Sequence, residues 1–278
     1  MSTDKVWVGT GLVDAEAPHL SVFDHGFTVG DGVFEAVKAV GGRPFALTRH
    51  LQRLARSATG LGLPTVDVNA VRHAVTETLL ANDVPPLARI RITYTAGVAP
   101  LGSERGDHGP TLVVAVGAAR PHADVTAIAT APWPRNERGA LAGIKSTSYA
   151  ENAKALAGAQ RAGASEAVFA DTTGRLCEGT GSNIFVVRDG RVLTPTLDTG
   201  CLAGVTRALV LAWVPDAEET DLPMEVLQDS DEIFLTSTLR DVQGVHRVDG
   251  RELAAPGPVT KDVMGVFAER SAAEHDPL

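Results

Sequence analysis

Cysteine is scarce: the 278 residues hold two, Cys177 and Cys201, with no CxxC spacing. Neither a disulfide framework nor a structural zinc site is expected from so few. Positive charge is also short, 25 Lys and Arg against 34 Asp and Glu for a net −9. That balance argues against nucleic acid or a membrane surface as the main partner. Long hydrophobic runs are missing; the longest, around Ala208–Val214, is far too short to span a bilayer. The start, MSTDKVWVGT, lacks the apolar core of a signal peptide, so a cytoplasmic location is expected. GxxxxGK[ST], HExxH and GxSxG are all absent, which removes the P-loop, zincin and nucleophile-elbow chemistries. GTGSNI has two of the three glycines of a dinucleotide fingerprint but not its strand–helix setting. The histidines are scattered without metal-ligand spacing, and no metal is expected.

What is present reads as an ordinary soluble chain, 44% hydrophobic and 21% charged, long enough for two moderate domains. Strands are predicted at Val6–Val8, Val33–Val40, Pro44–Leu47, Ala88–Ala96 and Thr111–Val116, with Gly41-Gly42 as a hairpin turn. Thr48 is placed to cap a helix whose apolar residues, Leu51, Leu54, Ala58 and Leu61, recur at three and four. Asp67 is placed to cap a second helix. This half, residues 1–116, reads as a small α+β domain with mostly antiparallel pairing. A polar stretch over 117–123 reads as a linker. The remainder, 124–278, carries strands at Val125–Thr130, Glu166–Ala170, Asn183–Arg188, Arg191–Thr194, Glu232–Thr236 and Asp241–Val248. Helices are predicted over Tyr149–Arg161, Val205–Val214 and Val259–Arg270, with Ser271–Leu278 as a frayed tail.

The chemistry concentrates in a few places. Asp189-Gly190 favours a tight hairpin turn. Upstream of it Glu178 adjoins a small-residue loop, Gly179–Asn183, where backbone can approach a ligand closely. Downstream, Gly204-Val205-Thr206 opens a helix, and amides with a hydroxyl at a helix start suit an anion. A carboxylate and a phosphate cradle together suggest a flat, phosphorylated, basic heterocycle. A lysine would complete the set, and Lys145 lies in the mostly apolar GIKSTSYAENAKA. Desolvation there would free its amine for imine formation; the plain alternative is a solvated surface charge. Lys38 and Lys154 are weaker candidates, the first alternating on a strand and the second mid-helix. Arg53 in HLQRL is either a helix-surface charge or a bidentate phosphate ligand. Thr236-Ser237-Thr238 is either an ordinary turn or the completion of a phosphate site. Asp31, between Gly30 and Gly32, reads as no more than the cap of a turn.

Together, DHGFTVGDGVFE, HLQRL, GIKS, EGTGSNIF, LAGVTR and FLTST, in this order and spacing, resemble the class IV aminotransferase family, the fold type IV enzymes dependent on pyridoxal 5'-phosphate. The family includes branched-chain aminotransferases, D-amino acid transaminases and aminodeoxychorismate lyases. The resemblance implies a two-domain α/β (α+β) fold, with a small N-terminal α+β domain and a larger, barrel-like C-terminal domain carrying the lysine. It implies that the coenzyme lies between them and that the protein is a homodimer. It further implies that Lys145 is the Schiff-base lysine and Glu178 the partner of the pyridine nitrogen. Arg53, Val205, Thr206, Ser237 and Thr238 would hold the phosphate. Phe34, Arg91, Arg89 and Arg240 are the candidates for contacts to a substrate, Arg91 ahead of Arg89 for its carboxylate. The implied activity is transfer of an amino group between an amino acid or amine and a 2-oxo acid. Alternatives are a lyase releasing 4-aminobenzoate and pyruvate from aminodeoxychorismate, and a non-catalytic scaffold that binds the coenzyme. Some lyases of the family carry threonine two residues after the phenylalanine of the GDG segment, and Ala36 preceded by Glu35 leans towards the transaminases.

Overall fold

In a computed structural model, residues 4–17 and 19–278 are described; Met1–Thr3 and Pro18 lie outside them. The chain divides into two compact units. The first comprises residues 1–120, 144–149 and 275–278, the second 121–143 and 150–274.

The first unit is an antiparallel six-stranded sheet with two long helices. In chain order it contains β1 (Lys5–Val8), β2 (Gly11–Asp14), α1 (His25–Thr28), β3 (Gly32–Val40), β4 (Arg43–Pro44), α2 (Leu47–Gly60), α3 (Val68–Leu80), β5 (Leu87–Thr95) and β6 (Thr111–Ala118). The strand order is β2-β1-β6-β5-β3-β4. Alternation sends Val33, Val37, Ile90, Ile92 and Val114 to one side of the sheet, where they pack with Leu51, Leu54 and Ala58 of α2 and Val71 and Val75 of α3. Side chains of opposite parity, Phe34, Ala36, Arg89 and Arg91, project from the other face. Asp67 caps α3, accepting from the Asn69 and Ala70 amides at 2.9 and 3.0 Å.

Two sequence expectations fail here for the same long-range reason. Thr48 is not the cap of α2: the helix starts at Leu47 after a left-handed Ala46, φ 52°. The Thr48 amide and hydroxyl instead donate to Asp276, at 2.8 and 2.6 Å. The tail is accordingly not frayed. Ala46 donates to His275 O at 2.7 Å and Arg49 to Pro277 O at 3.1 Å, so the last residues cap the start of α2. The left-handed Ala46 also ends the strand expected over Pro44–Leu47, leaving β4 two residues long.

A division at 117–123 assigns Lys145 to the later part of the chain. In the structure Ile144–Tyr149 belongs to the first unit, because it pairs with β3. Phe34 N donates to Lys145 O at 2.9 Å, Val33 and Ser146 form an antiparallel bridge, and Thr147 N donates to Gly32 O at 2.8 Å.

The second unit contains β7 (Val125–Thr130), α4 (Ala150–Arg161), β8 (Glu166–Ala170), β9 (Leu176–Gly179), β10 (Asn183–Arg188), β11 (Arg191–Thr194), α5 (Val205–Trp213), β12 (Glu218–Glu219), α6 (Val226–Asp229), β13 (Glu232–Ser237), β14 (Asp241–Val248), β15 (Arg251–Glu252) and α7 (Pro258–Ala273). The sheet runs β12-β11-β10-β13-β14-β7-β8-β9, with β15 on β14. It curls: β9, at one end, returns against β10, and Gly179 N reaches Ser182 O at 2.8 Å. The result is barrel-like, filled by Ile128, Val168, Leu176, Ile184, Val186, Leu235 and Val245. Between β10 and β11, Asp189 and Gly190 both take positive φ, 50° and 77°, the mirror-image turn that their sequence favours. The N-terminus of α7 is capped from afar, Glu232 accepting from Val259 and Thr260 at 3.0 and 2.7 Å. Among the described residues no helix is long and apolar enough to cross a membrane.

Candidate active site

In the first unit Lys145 is held by its backbone. Besides the bond from Phe34 N, its own amide donates to Ser57 Oγ of α2 at 3.3 Å. The half-buried side chain reaches over Phe34, with Nζ 4.4 Å from the ring centroid. Arg91 lies over the same ring at 3.5 Å, and Tyr149 meets it edge-on at 5.4 Å. The ring quadrupole favours a cation near its face. Arg91 Nε donates to Thr93 Oγ1 at 3.1 Å. Neither Arg91 nor Arg89 has a carboxylate within ion-pair distance among the described residues. Both residues are exposed on the strand, which leaves the two guanidiniums open to an anionic ligand. Partial burial lowers the Arg91 pKa, Tyr149 and Glu35 oppose that shift, and the like charge of Arg89 adds to it.

Arg53 is on the core side of β3. Its Nε and Nη2 donate to the two oxygens of Glu35, each at 2.7 Å, and His50 Nδ1 lies 2.7 Å from Glu35 Oε2. All three side chains are at most 7% exposed. Burial alone would raise the Glu35 pKa, but Arg53 and His50 outweigh it and hold the carboxyl well below the usual range. Burial, followed by the Arg53 and Lys145 charges, lowers the pKa of His50, with Glu35 opposing. This Glu35–His50–Arg53 triad was not legible as a unit in the sequence. The signal was there in retrospect: Glu35 on a strand, with His50 and Arg53 three apart on the facing helix. Lys38 lies 5.1 Å over Phe45 and Lys154 5.2 Å over Trp133.

In the second unit Glu178, on β9, accepts from Leu202 N at 2.9 Å. Arg135 lies 3.6 Å from its other oxygen. Two residues beyond Leu202, Gly204 is the N-cap of α5 and supplies no side-chain cap, so the amides of Val205 and Thr206 open the helix without one. Asn183 fixes this turn by donating to Leu202 O at 2.8 Å. Its Oδ1 lies where a Cβ on Gly204 would sit, 1.9 Å away, so the approach needs glycine. Asn183 pairs across the sheet with Thr236, followed by Ser237 and Thr238 at the end of β13. Thr236 Oγ1 is buried without a hydrogen-bond partner. The acid, the helix start and the hydroxyl strand end are thus tied to one another through residues 202–206 and Asn183. Arg240 is turned the other way, into Ser165, Gln243 and Glu166, the last at 3.5 Å. Cys177 and Cys201 are buried free thiols. Burial and Glu178 push Cys201 up to about 11 and Cys177 higher still, so neither is a ready nucleophile.

The sequence model of the class IV amino-transferases matches residues 32–248. The chain belongs to that family. Among its relatives is a D-alanine aminotransferase of Staphylococcus haemolyticus, 29% identical, covering 95% of this chain and 96% of that protein. Solved structures agree. A fold IV transaminase from Curtobacterium pusillum superposes with a TM-score of 0.88 at 28% identity, covering 99% of this chain and all of that one. A branched-chain aminotransferase from Thermoproteus uzoniensis, with norvaline, gives 0.91 at 28% identity, covering 96% and 94%. Class IV aminotransferases depend on pyridoxal phosphate, and the residues present fit that coenzyme. An uncapped helix start and an orphaned threonine hydroxyl suit its phosphate; a fixed carboxylate suits its ring nitrogen.

Proposed function

We propose that the protein is an aminotransferase moving an amino group between an amino acid and a 2-oxo acid, with pyridoxal 5'-phosphate as coenzyme. The observation that carries this reading is the pair of donor sets just described. Lys145 lies over Phe34, with Arg91 over the same ring, and Glu178 is tied to an uncapped helix start. Bound, the coenzyme supplies an aldehyde for covalent capture of amines and an electron sink for the Cα carbanion. In this proposal Lys145 attaches the coenzyme and, once released, moves the proton at the substrate Cα. Glu178 holds the ring nitrogen. The Val205 and Thr206 amides, with Ser237, Thr238 and Arg53, bind the phosphate. Arg91 receives a substrate carboxylate, and Phe34 supports the guanidinium that does so; Arg89, two residues along the same face, adds charge.

The test is a panel of amino donors and 2-oxo acids on purified protein with added coenzyme. Aminated product that forms only when both partners are present, with ping-pong kinetics, is the expected result. The same assay separates the lyase: aminodeoxychorismate converted to 4-aminobenzoate and pyruvate with no 2-oxo acid added would replace this reading. Tight binding of the coenzyme without turnover of any pair would favour the scaffold.

A further inference from the structure

Arg135 stands in an irregular segment before Lys145, and no motif marks it. Its amide donates to Ala170 O at 2.7 Å. Its guanidinium stacks 4.3 Å from the Phe169 ring, and Phe169 is the cross-strand partner of Glu178. Nη1 donates to Glu151 Oε2 at 2.9 Å and Asn152 Oδ1 at 3.0 Å, both on α4. Nε is buried and has no hydrogen-bond partner. Nη2 reaches to within 3.6 Å of Glu178 Oε1, with both side chains mostly buried, 15% and 13% exposed.

That last separation is informative. An unconstrained guanidinium would close on a carboxylate to about 2.8 Å. This one is held back by its stack and by the two bonds to α4. At 3.6 Å it adds positive charge beside the carboxylate without a short hydrogen bond to it. We infer that Arg135 is a positioning residue for Glu178, a fixed cation that keeps the carboxylate ionised while leaving it to a closer donor. The inference rests on the reading of Glu178 as the partner of the coenzyme ring nitrogen. Around Glu178 in this unit stand Arg135, the Leu202 amide and the thiols Cys177 and Cys201, with Glu151 sharing Arg135. The thiols stay protonated, and the Arg135 guanidinium is the cation at 3.6 Å from the carboxylate.

The test uses pyridoxamine 5'-phosphate, which binds without a covalent link to lysine, and measures its Kd from pH 4.5 to 8 on the full-length protein freed of coenzyme. Affinity should fall on acidification as Glu178 takes up a proton. In Arg135→Gln or Arg135→Met the midpoint of that fall should move up by about 1 pH unit, since an opposite charge at this range shifts a carboxylate by about that much. Arg135→Lys should bring it back towards wild type. Glu178→Gln should remove the limb, and adding Arg135→Gln to it should then change nothing. The ligand's own phosphate titrates alike in every variant and cancels in the comparison. Two neutral replacements are used because each changes the packing on Phe169 differently, and one folded variant suffices. Binding weakened equally at every pH, with the midpoint unmoved, would show a purely structural arginine and overturn the inference. Wild-type protein that binds no pyridoxamine phosphate would overturn the functional reading itself.

Discussion

Replacing Glu35 with glutamine removes one charge and no volume. In wild type its carboxylate takes both Nε and Nη2 of Arg53 and approaches His50, with all three groups out of water. Glutamine strips the buried Arg53 of the Glu35 charge, and removing one partner of a buried pair costs roughly 3–5 kcal/mol. Against a total stability of about 5–15 kcal/mol that is a large share. At ~2–4 °C per kcal/mol it lowers the melting temperature by roughly 10 °C. The double variant Glu35→Met/Arg53→Met removes the buried Arg53 charge as well, so it should lose less than Glu35→Gln alone. The pH dependence carries a second signature. Glu35 and His50 both bind a proton less readily folded than in their ordinary states, 4.5 and 6.5. Each therefore stabilises above that ordinary value and loses its contribution on acidification, His50 first and Glu35 below it. Glu35→Gln should flatten the acid limb below pH 4.5 but keep the slope near 6.5, because the Glu35 interactions that favour a charged His50 are gone. Thermal unfolding of the three proteins between pH 3.5 and 8 reads all of this. A loss under about 1 kcal/mol in Glu35→Gln, or a double variant that loses as much as Glu35→Gln, would refute the reasoning.

Gly204→Ala would put a Cβ 1.9 Å from Asn183 Oδ1, and such overpacking costs about 1–3 kcal/mol. It should lower the melting temperature and weaken phosphate-bearing ligands together, measured by calorimetry on one preparation. Arg91→Gln should reduce kcat/KM for a carboxylate substrate about 10–100-fold, the equivalent of one charge-assisted hydrogen bond, and spare an amine donor that lacks a carboxylate. Arg105 donates to both oxygens of Asp31, at 2.7 and 2.8 Å, and to the Leu61 carbonyl. It is partly exposed, so Arg105→Ala should cost at most about 1 kcal/mol overall, yet hydrogen exchange should quicken over residues 98–109.

The long elements were legible because they carry their own signals. The α3 cap at Asp67, the Asp189-Gly190 turn and the alternation of β5 are local, and each took the form its residues favour. What escaped was set by distant partners. β9 spans Leu176–Gly179 because β8 lies beside it, and the start of α2 is capped by Asp276, which accepts from the Thr48 amide 228 residues before it. The site divides in the same way. Lys145, Glu178 and the 204–206 helix start could be picked out from residue type and order. Arg135, Asn183 and the Glu35–His50 contact could not, since a bare arginine, asparagine or histidine has no spacing that reveals whom it meets. Arg240 shows the converse: sequence position suggested a substrate contact, and its guanidinium is occupied with Glu166, Ser165 and Gln243.

The central claim is that one ε-amino group captures the coenzyme. Borohydride treatment of protein loaded with pyridoxal 5'-phosphate, followed by peptide mass mapping, tests it directly. The account predicts a single phosphopyridoxyl mass on the peptide containing Lys145 and none in Lys145→Ala. Modification at Lys38 or Lys154 with Lys145 untouched would contradict it.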